Sequence, residues 1–252
     1  MIIAEQLSVK VGERLILKDV SIQIPAGKVT AIMGPNGAGK SSLLRCLTGA
    51  NQINRGKVTI NGKPLNSYSL EALSRMRAVL SQSNSIDFPF SAFDIVKMGR
   101  NPHGACSSST KDDDIALRAL ECVNCLAMKD RNVQTLSGGE RQRIHLARVL
   151  AQLWESKNSF LFLDEPTSAL DLKHQHQILM LIRDLVADRG IGVCIVLHDL
   201  NLAMRYTDQM LLMRDGELYA FGETYQVLSS KNIENVFEVS MSSIFYERHT
   251  FA

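Results

Sequence analysis

Eight residues near the N-terminus constrain the fold of this chain more than any other segment. They read GPNGAGKS, occupy positions 34–41, and follow an apolar segment that ends at Met33. The glycines let successive backbone N–H groups turn inward around an anion. A helix predicted from Ser41 to Leu47 points the positive end of its dipole at the same place. The segment therefore predicts a strand, an anion-binding turn and a helix in succession.

This pattern fits a phosphate-binding loop, because each residue type has a chemical use there. Lys40 would reach the β and γ phosphates of a nucleotide, and the Ser41 hydroxyl is placed to ligate Mg²⁺, a cation that accepts oxygen ligands. A glycine-rich turn with a chance lysine is the alternative, and the flanking strand and helix disfavour it. The predicted binding residues of this loop are Gly34, Pro35, Asn36, Gly37, Ala38, Gly39, Lys40, Ser41 and Ser42.

A second motif supports the first: an apolar run over Phe160–Leu163 ends in two carboxylates, Asp164 and Glu165. We expect Asp164 to hold Mg²⁺ through water. Glu165 would accept a proton from the water that attacks the γ phosphate, or would orient that water. The alternative is a polar strand end that caps the next helix.

The period of the apolar residues predicts an α/β fold. Short strands alternate with helices, which is typical of a parallel sheet. The N-terminal segment from Ile2 to Met33 is β-like, whereas residues 88–136 are predicted to be mainly helical, with Thr110 or the following aspartates capping one helix. The other predicted elements are strands at Lys57–Ile60, Ala78–Ser81, Ser159–Leu163 and Val193–Leu197, a helix over Lys173–Arg189 ended by Gly190, and a hairpin turning at Asp215-Gly216.

Composition excludes several classes of function. Twenty-eight Lys and Arg against 26 Asp and Glu give a net charge of +2, which disfavours a nucleic-acid partner. Apolar runs such as Val193–Leu197 are far shorter than the roughly 20 residues of a membrane helix. The N-terminus lacks the features of a secretory signal, and five scattered cysteines suit reduced thiols, so we expect a cytosolic chain.

The segment LSGGERQ at 136–142 resembles the signature of ABC-type ATPases. The resemblance implies a P-loop fold with a parallel core sheet, an N-terminal antiparallel β subdomain and an inserted helical subdomain. It also implies one domain over 1–252, with its core in about 1–87 and 157–252 and its helical part in about 88–156. ATP would lie between the phosphate loop of one chain and the signature of a second copy, in a head-to-tail dimer. The signature residues that would contact it in trans are Ser137, Gly138, Gly139 and Glu140.

Other positions match the same family in order. Gln82 resembles the glutamine that contacts Mg²⁺ and the attacking water, and it begins the loop that faces a permease. The segment SALD at 168–171 resembles the loop that crosses the dimer interface. His198 matches the histidine that contacts the γ phosphate, although a histidine at a strand end also serves as a structural hydrogen-bonding group. The resemblance therefore implies ATP hydrolysis, with Glu165, His198 and Gln82 as its catalytic residues.

One expected feature is missing. Many relatives stack the adenine on an aromatic side chain at about the position of Val11, yet no aromatic residue precedes Tyr68. Stacking of a base on a ring contributes about 1–3 kcal/mol. We therefore expect modest affinity for ATP and weak discrimination among purine nucleotides.

Four segments resemble the ATPases of bacterial haem importers: residues 87–90, 94–104, 149–154 and 169–179. Cobalamin and ferric-siderophore importers use similar ATPases and stay as alternatives. The resemblance implies a peripheral subunit at the cytoplasmic face of the inner membrane, bound to two permease subunits through Ser83–His103. A periplasmic substrate-binding protein would be an indirect partner. Changing Phe90 and Arg100 to alanine is predicted to uncouple transport while leaving isolated ATPase activity intact.

Two alternative functions from other classes of protein stay open. A soluble ABC protein that serves translation or chromosome maintenance would carry tandem cassettes or a coiled coil, and the chain has neither. A nucleotide-gated binding module would hydrolyse ATP rarely, which Glu165 and His198 disfavour. The histidines 174 and 176 are expected to be structural or solvent-facing rather than haem ligands. Cys122 and Cys125 are predicted to share a helical face and to pack in the core rather than bind metal.

Overall fold

The computed structural model describes residues 1–81, 88–104 and 108–239 of the chain. The strands are β1 (Ile2–Val11), β2 (Arg14–Ile24), β3 (Val29–Met33), β4 (Arg55–Ile60), β5 (Lys63–Pro64), β6 (Arg77–Leu80), β7 (Phe160–Asp164), β8 (Gly192–Val196), β9 (Gln209–Arg214) and β10 (Glu217–Glu223). The α-helices are α1 (Lys40–Thr48), α2 (Leu70–Met76), α3 (Ala92–Lys97), α4 (Ser109–Cys122), α5 (Gly138–Leu153), α6 (Leu172–Arg189), α7 (Leu200–Tyr206), α8 (Thr224–Val227) and α9 (Ser230–Phe237). Short 3-10 turns cover Leu65–Ser67, Met98–His103, Leu126–Met128 and Val133–Thr135.

The strands form two sheets, and both match the predicted fold class. The first sheet is antiparallel, with strand order β2-β1-β4-β5. The second has the order β10-β9-β3-β8-β7-β6, and every neighbouring pair is parallel except β9 with the edge strand β10. The chain is therefore an α/β protein with a mainly parallel core sheet and an antiparallel N-terminal sheet.

The core strands are apolar because both faces of the sheet are covered. Every residue of β3, β7 and β8 is buried, as expected for parallel strands that are covered on both faces. Strand β8 lies between the other two, so that Val196 pairs with Ile32 of β3 and with Asp164 of β7. The carboxyl ends of these strands meet at one edge of the sheet, where ligands bind in folds of this type.

Helices α3, α4 and α5 pack together in the chain between β6 and β7. The predicted cap of α4 is wrong, because the Ser108 hydroxyl accepts from the Lys111 N–H and the helix begins one residue later. The predicted shared face of Cys122 and Cys125 is also wrong. Helix α4 ends at Cys122, and Asn124 has φ 55°, so the chain has already left the helix at Cys125.

Two local predictions are confirmed. Helix α6 ends at Gly190, which adopts the left-handed conformation with φ 64°. The hairpin between β9 and β10 turns at Asp215 and Gly216, both with positive φ. Within the described residues, every helix is too short or too polar to cross a membrane.

Candidate active site

The phosphate loop lies between β3 and α1 and is closed by the C-terminal hairpin. A side chain on Gly34 (φ 148°) would collide with the carbonyl oxygen of Met213 in β9, so only glycine fits there. The Gly216 N–H donates to the Ala38 carbonyl at 3.2 Å, and the Gly216 carbonyl accepts from the Lys18 N–H at 2.9 Å. The hairpin therefore joins the loop to strand β2 of the antiparallel sheet.

Lys40 is held inside the loop. Its Nζ donates to the carbonyl oxygens of Gly34 and Pro35, each at 2.9 Å, and the residue is buried. Burial lowers the pKa of the Lys40 ammonium, and the nearby Glu165 and Asp164 carboxylates oppose that shift. The Lys40 ammonium therefore lies within the loop. Its two partners are neutral carbonyl oxygens, which phosphate oxygens can replace.

Ser41 and Asp164 meet although 123 residues separate them, because β3 and β7 both flank β8. The Ser41 Oγ donates to Oδ1 of Asp164 at 3.1 Å. Asp164 is only 4% exposed, and this burial raises the pKa of its carboxyl group, while the Ser41 hydrogen bond acts in the opposite direction. A hydroxyl beside a buried carboxylate is a donor set that fits Mg²⁺.

Glu165 follows β7 in a strained backbone conformation, with φ 53°. Its carbonyl oxygen accepts from Nε2 of Gln142 at 3.1 Å and from Oγ of Ser168 at 3.0 Å. Its Oε1 lies 2.6 Å from Nε2 of His198, which follows β8. The carboxylate and imidazole are therefore held together at the carboxyl edge of the core sheet.

The alternative role of the acidic pair as a helix cap does not hold. Helix α6, which follows this strand, is capped by Asp171, whose side chain accepts from the His174 N–H at 2.9 Å. His174 Nδ1 lies 2.7 Å from the same carboxylate, and His176 Nδ1 lies 2.7 Å from the Tyr206 hydroxyl. Both histidines thus have protein partners.

A cavity of about 330 Å³ unites most of the predicted loop residues. Gly34, Pro35 and Ala38 are not among its lining residues, whereas Asp164 contacts the lining residue Ser41. Sequence reasoning missed two of the lining residues, Arg14 and Ile16, because they belong to β2 in the other sheet. The lining residues are Arg14, Ile16, Asn36, Gly37, Gly39, Lys40, Ser41, Ser42 and Glu165.

The predicted trans residues form a separate cavity of about 450 Å³ at the start of α5. Ser137 caps the helix: its Oγ accepts from the Glu140 N–H at 3.2 Å, and the Glu140 carboxylate accepts from the Ser137 N–H at 2.7 Å. The Ser137 N–H lowers the pKa of Glu140. A side-chain hydrogen bond from Ser137 to the Glu140 carboxylate lowers that pKa further. The cavity is lined by Ser137, Gly138, Gly139, Glu140, Arg143, Ala169, Leu170, Asp171 and His174.

The predicted permease surface is only partly described. Gln82 and Ser83–Asp87 lie outside the described residues. Phe88 is 68% exposed and Phe90 is 37% exposed. The assignment of Arg100 to this surface is wrong: the side chain is buried, with its guanidinium bound to Asp112 at 2.8 Å and to Glu155 at 2.8 Å.

Comparison with known proteins agrees with the fold. The family model described as "ABC transporter" matches residues 17–168, and the chain belongs to that family. The family's nucleotide-binding, ATP-hydrolysing subunit is the class of protein that this chain represents, with a phosphate loop, a signature helix and an acidic strand end in that order.

The chain is 44% identical to the hemin import ATP-binding protein HmuV of Escherichia coli O157:H7, over 92% of this chain and 90% of that protein. It is 45% identical to the protein of the same name from Burkholderia thailandensis, over 94% of this chain and 93% of the relative.

Solved structures agree as well. An inward-facing metal-chelate type ABC transporter superimposes with a TM-score of 0.80 at 30% identity, covering 95% of this chain and 89% of that one. A dimeric bacterial ABC transporter cassette superimposes with a TM-score of 0.77 at 28% identity, covering 89% of this chain and 99% of that one. A post-hydrolysis dimer of a cassette bound to ADP and phosphate matches at 27% identity with a TM-score of 0.77.

Proposed function

We propose that this chain is the ATP-hydrolysing subunit of a haem importer. The two hemin import proteins that it matches over more than nine tenths of its length support that cargo. Cobalamin and ferric siderophores are the alternative cargoes, since ATPases of those importers resemble this chain. We place the subunit at the cytoplasmic face of the inner membrane, bound to two permease subunits and, through them, to a periplasmic binding protein.

The chemistry that we propose follows from the positions of the side chains. Lys40 binds the β and γ phosphates, while Ser41, Asp164 and Gln82 hold Mg²⁺, which neutralises phosphate charge. Glu165 accepts the proton of the attacking water, and His198 contacts the γ phosphate. The observation that carries this assignment is the 2.6 Å contact between Glu165 and His198, beside the cavity that Glu165 shares with Lys40.

We propose further that the site is completed by a second copy of the chain. Among the described residues, the cavity at the phosphate loop and the cavity at Ser137 share no lining residue, so each chain supplies two half-sites. In a head-to-tail dimer, ATP would lie between the phosphate loop of one chain and the signature of the other. The four half-sites of two chains would then form two complete sites. The dimeric cassettes among the structural matches support this arrangement. The unit would comprise residues 1–252, with 88–156 as the helical subdomain that carries the signature.

Contact with the permease is proposed for the exposed part of Ser83–His103. Phe88 and Phe90 are its exposed aromatic residues within the described part of that segment. A Phe90→Ala variant should therefore keep the ATPase rate of the isolated subunit and reduce transport in the assembled importer. Transport equal to that of the wild type would contradict this contact.

Uptake into vesicles tests the function as a whole. The chain is co-purified with its permease, reconstituted, and supplied with ATP·Mg²⁺ and either haem, cobalamin or a ferric siderophore. We expect ATP-driven uptake of haem, and loss of uptake and of turnover with Glu165→Gln, which keeps the shape of the side chain and removes the base. Uptake of cobalamin or siderophore alone would show that the cargo is not haem. Full turnover by the Glu165→Gln variant would refute the role of Glu165 as the base.

A further inference from the structure

A second cavity continues from the phosphate-loop cavity. Its volume is about 450 Å³, and it shares Arg14, Ile16 and Gly37 with the first one. The remainder of its lining comes from β2 and from the hairpin at Asp215. The first cavity contains the phosphate-binding groups Lys40 and Ser41, so the second one lies where a nucleotide bound there would extend beyond its phosphates.

Arg14 lies at the junction of the two cavities, directly beside the position where family resemblance predicts an aromatic ring. It begins β2 and is the cross-strand partner of Val11 across a tight turn at Gly12-Glu13. Residues directly opposite each other in an antiparallel pair direct their side chains to the same face, with Cβ atoms about 4.5–5.5 Å apart. Val11 is 66% exposed and offers no ring. Arg14 therefore places a planar group on the same face of the sheet as that position.

The guanidinium of Arg14 is available for a ligand. Among the described residues it has no hydrogen bond or ion pair, whereas the other cation of the second cavity, Lys18, is bound to Glu217 at 3.2 Å. Asp215, the acid of this cavity, has Arg214 at 3.5 Å. An arginine with a free guanidinium offers both a positive charge and a flat surface, and nucleobases stack on such planes.

We propose that Arg14 stacks its guanidinium on the base of the bound nucleotide and so replaces the missing aromatic residue. The inference rests on the proposed function, because it requires phosphates to occupy the loop around Lys40. Every base has a π-face, so a stacking contact tolerates both adenine and guanine. Arg14 thus sets nucleotide affinity without selecting between the purines.

Binding of non-hydrolysable probes tests this role. Dissociation constants for ADP·Mg²⁺, GDP·Mg²⁺ and pyrophosphate·Mg²⁺ are measured by calorimetry on the full chain and its variants. Arg14→Ala should weaken ADP and GDP alike, by about 5- to 150-fold, which is the range expected for one stacked base. Pyrophosphate binding should change less than about twofold, because it has no base. Arg55→Ala, at an exposed position of β4 outside both cavities, is the matched control and should change none of the three.

A variant that keeps the positive charge of Arg14 but lacks its planar guanidinium separates stacking on the base from simple attraction to phosphate. Arg14→Lys should bind ADP as weakly as Arg14→Ala does, and Arg14→Trp should restore ADP binding. Recovery with Arg14→Lys, an equal loss of pyrophosphate binding, or unchanged ADP binding by Arg14→Ala would each overturn the stacking role. If the wild type bound neither ADP nor pyrophosphate, the proposed nucleotide site would itself be wrong.

Discussion

Asp164 shows at the level of a single residue how the site opposes the stability of the fold. Burial raises the pKa of its carboxyl group, so the folded chain binds a proton more tightly than the unfolded chain. Stability therefore falls as pH rises from about 3.9, the usual aspartate value, through the higher pKa of the folded state. Ionising this carboxyl group in its buried position therefore lowers the stability of the folded chain.

We predict that Asp164→Asn raises the melting temperature of the nucleotide-free chain at pH 7 by a few degrees, since about 1 kcal/mol corresponds to roughly 2–4 °C in a chain of this size. The amide oxygen can still accept from Ser41, while Mg²⁺-dependent turnover should be lost. Thermal unfolding measures the first effect. Asp112→Asn is the matched control, because Asp112 pairs with buried Arg100 and its loss should lower the melting temperature. An Asp164→Asn variant that melts at or below the wild-type temperature would contradict the argument.

The chemistry of individual residues was predictable where a motif keeps its members close in sequence. The loop at 34–41 and the pair Asp164-Glu165 could be predicted from the strand and turn that contain them. The position of Arg100 was not predictable, since its partner Glu155 lies 55 residues away and only the packing of helices brings them together. Arg14 was missed for a similar reason, because its place beside the phosphate loop depends on how the two sheets meet.

At the level of an element, helix α5 depends on the reciprocal cap formed by Ser137 and Glu140. The Ser137 N–H lowers the pKa of Glu140, so this stabilisation is present above about pH 4.3, the usual glutamate value, and is lost as pH falls through the lower pKa of the folded state. We predict that Glu140→Gln melts below the wild type at pH 7 and that the difference disappears in stronger acid. Melting curves at several pH values measure it, with Glu234→Gln on α9 as an exposed control. A difference that stays constant with pH would refute the ionic part of this cap.

The 3-10 turn Met98–His103 joins several elements of the helical region through Arg100. The buried Arg100 donates to the Ala151 carbonyl at 2.9 Å in addition to its two carboxylate partners. Arg100→Ala would remove the guanidinium that contacts buried Asp112 at 2.8 Å and would leave a cavity, so we predict a loss of about 3–5 kcal/mol in unfolding free energy. Urea denaturation measures this loss, and Arg100→Ala combined with Asp112→Asn should recover part of it. Wild-type stability for Arg100→Ala would show that the ion pair contributes nothing.

Elements with a strong pattern were predicted to within a few residues. The strands β7 and β8 are apolar throughout, and α6 has a glycine at its end, so the signal is local. The start of α4 was missed because Ser108, Ser109 and Thr110 are all suitable caps, and only the contacts of the folded chain select Ser108. The order of the core strands was likewise not available, since it depends on pairing across long separations.

At the scale of the whole molecule, two half-sites in each chain lead to a complementation experiment. Lys40→Ala damages the phosphate loop, and Ser137→Ala damages the signature. A mixed dimer of the two variants keeps one site in which both halves are intact. We therefore predict that the mixture retains more ATP through gel filtration than either variant alone, in a Glu165→Gln background that prevents hydrolysis. Retention no greater than that of the separate variants would argue against composite sites.

The hairpin of β9 and β10 carries none of the proposed catalytic groups, yet it backs the phosphate loop at Gly34 and Ala38. Shortening the chain from its C-terminal side should therefore abolish nucleotide binding as soon as the cut passes Gly216, while every proposed ligand of ATP and Mg²⁺ is still present. Strands β9 and β10 therefore act as a structural support for a loop that lies some 180 residues earlier in the sequence.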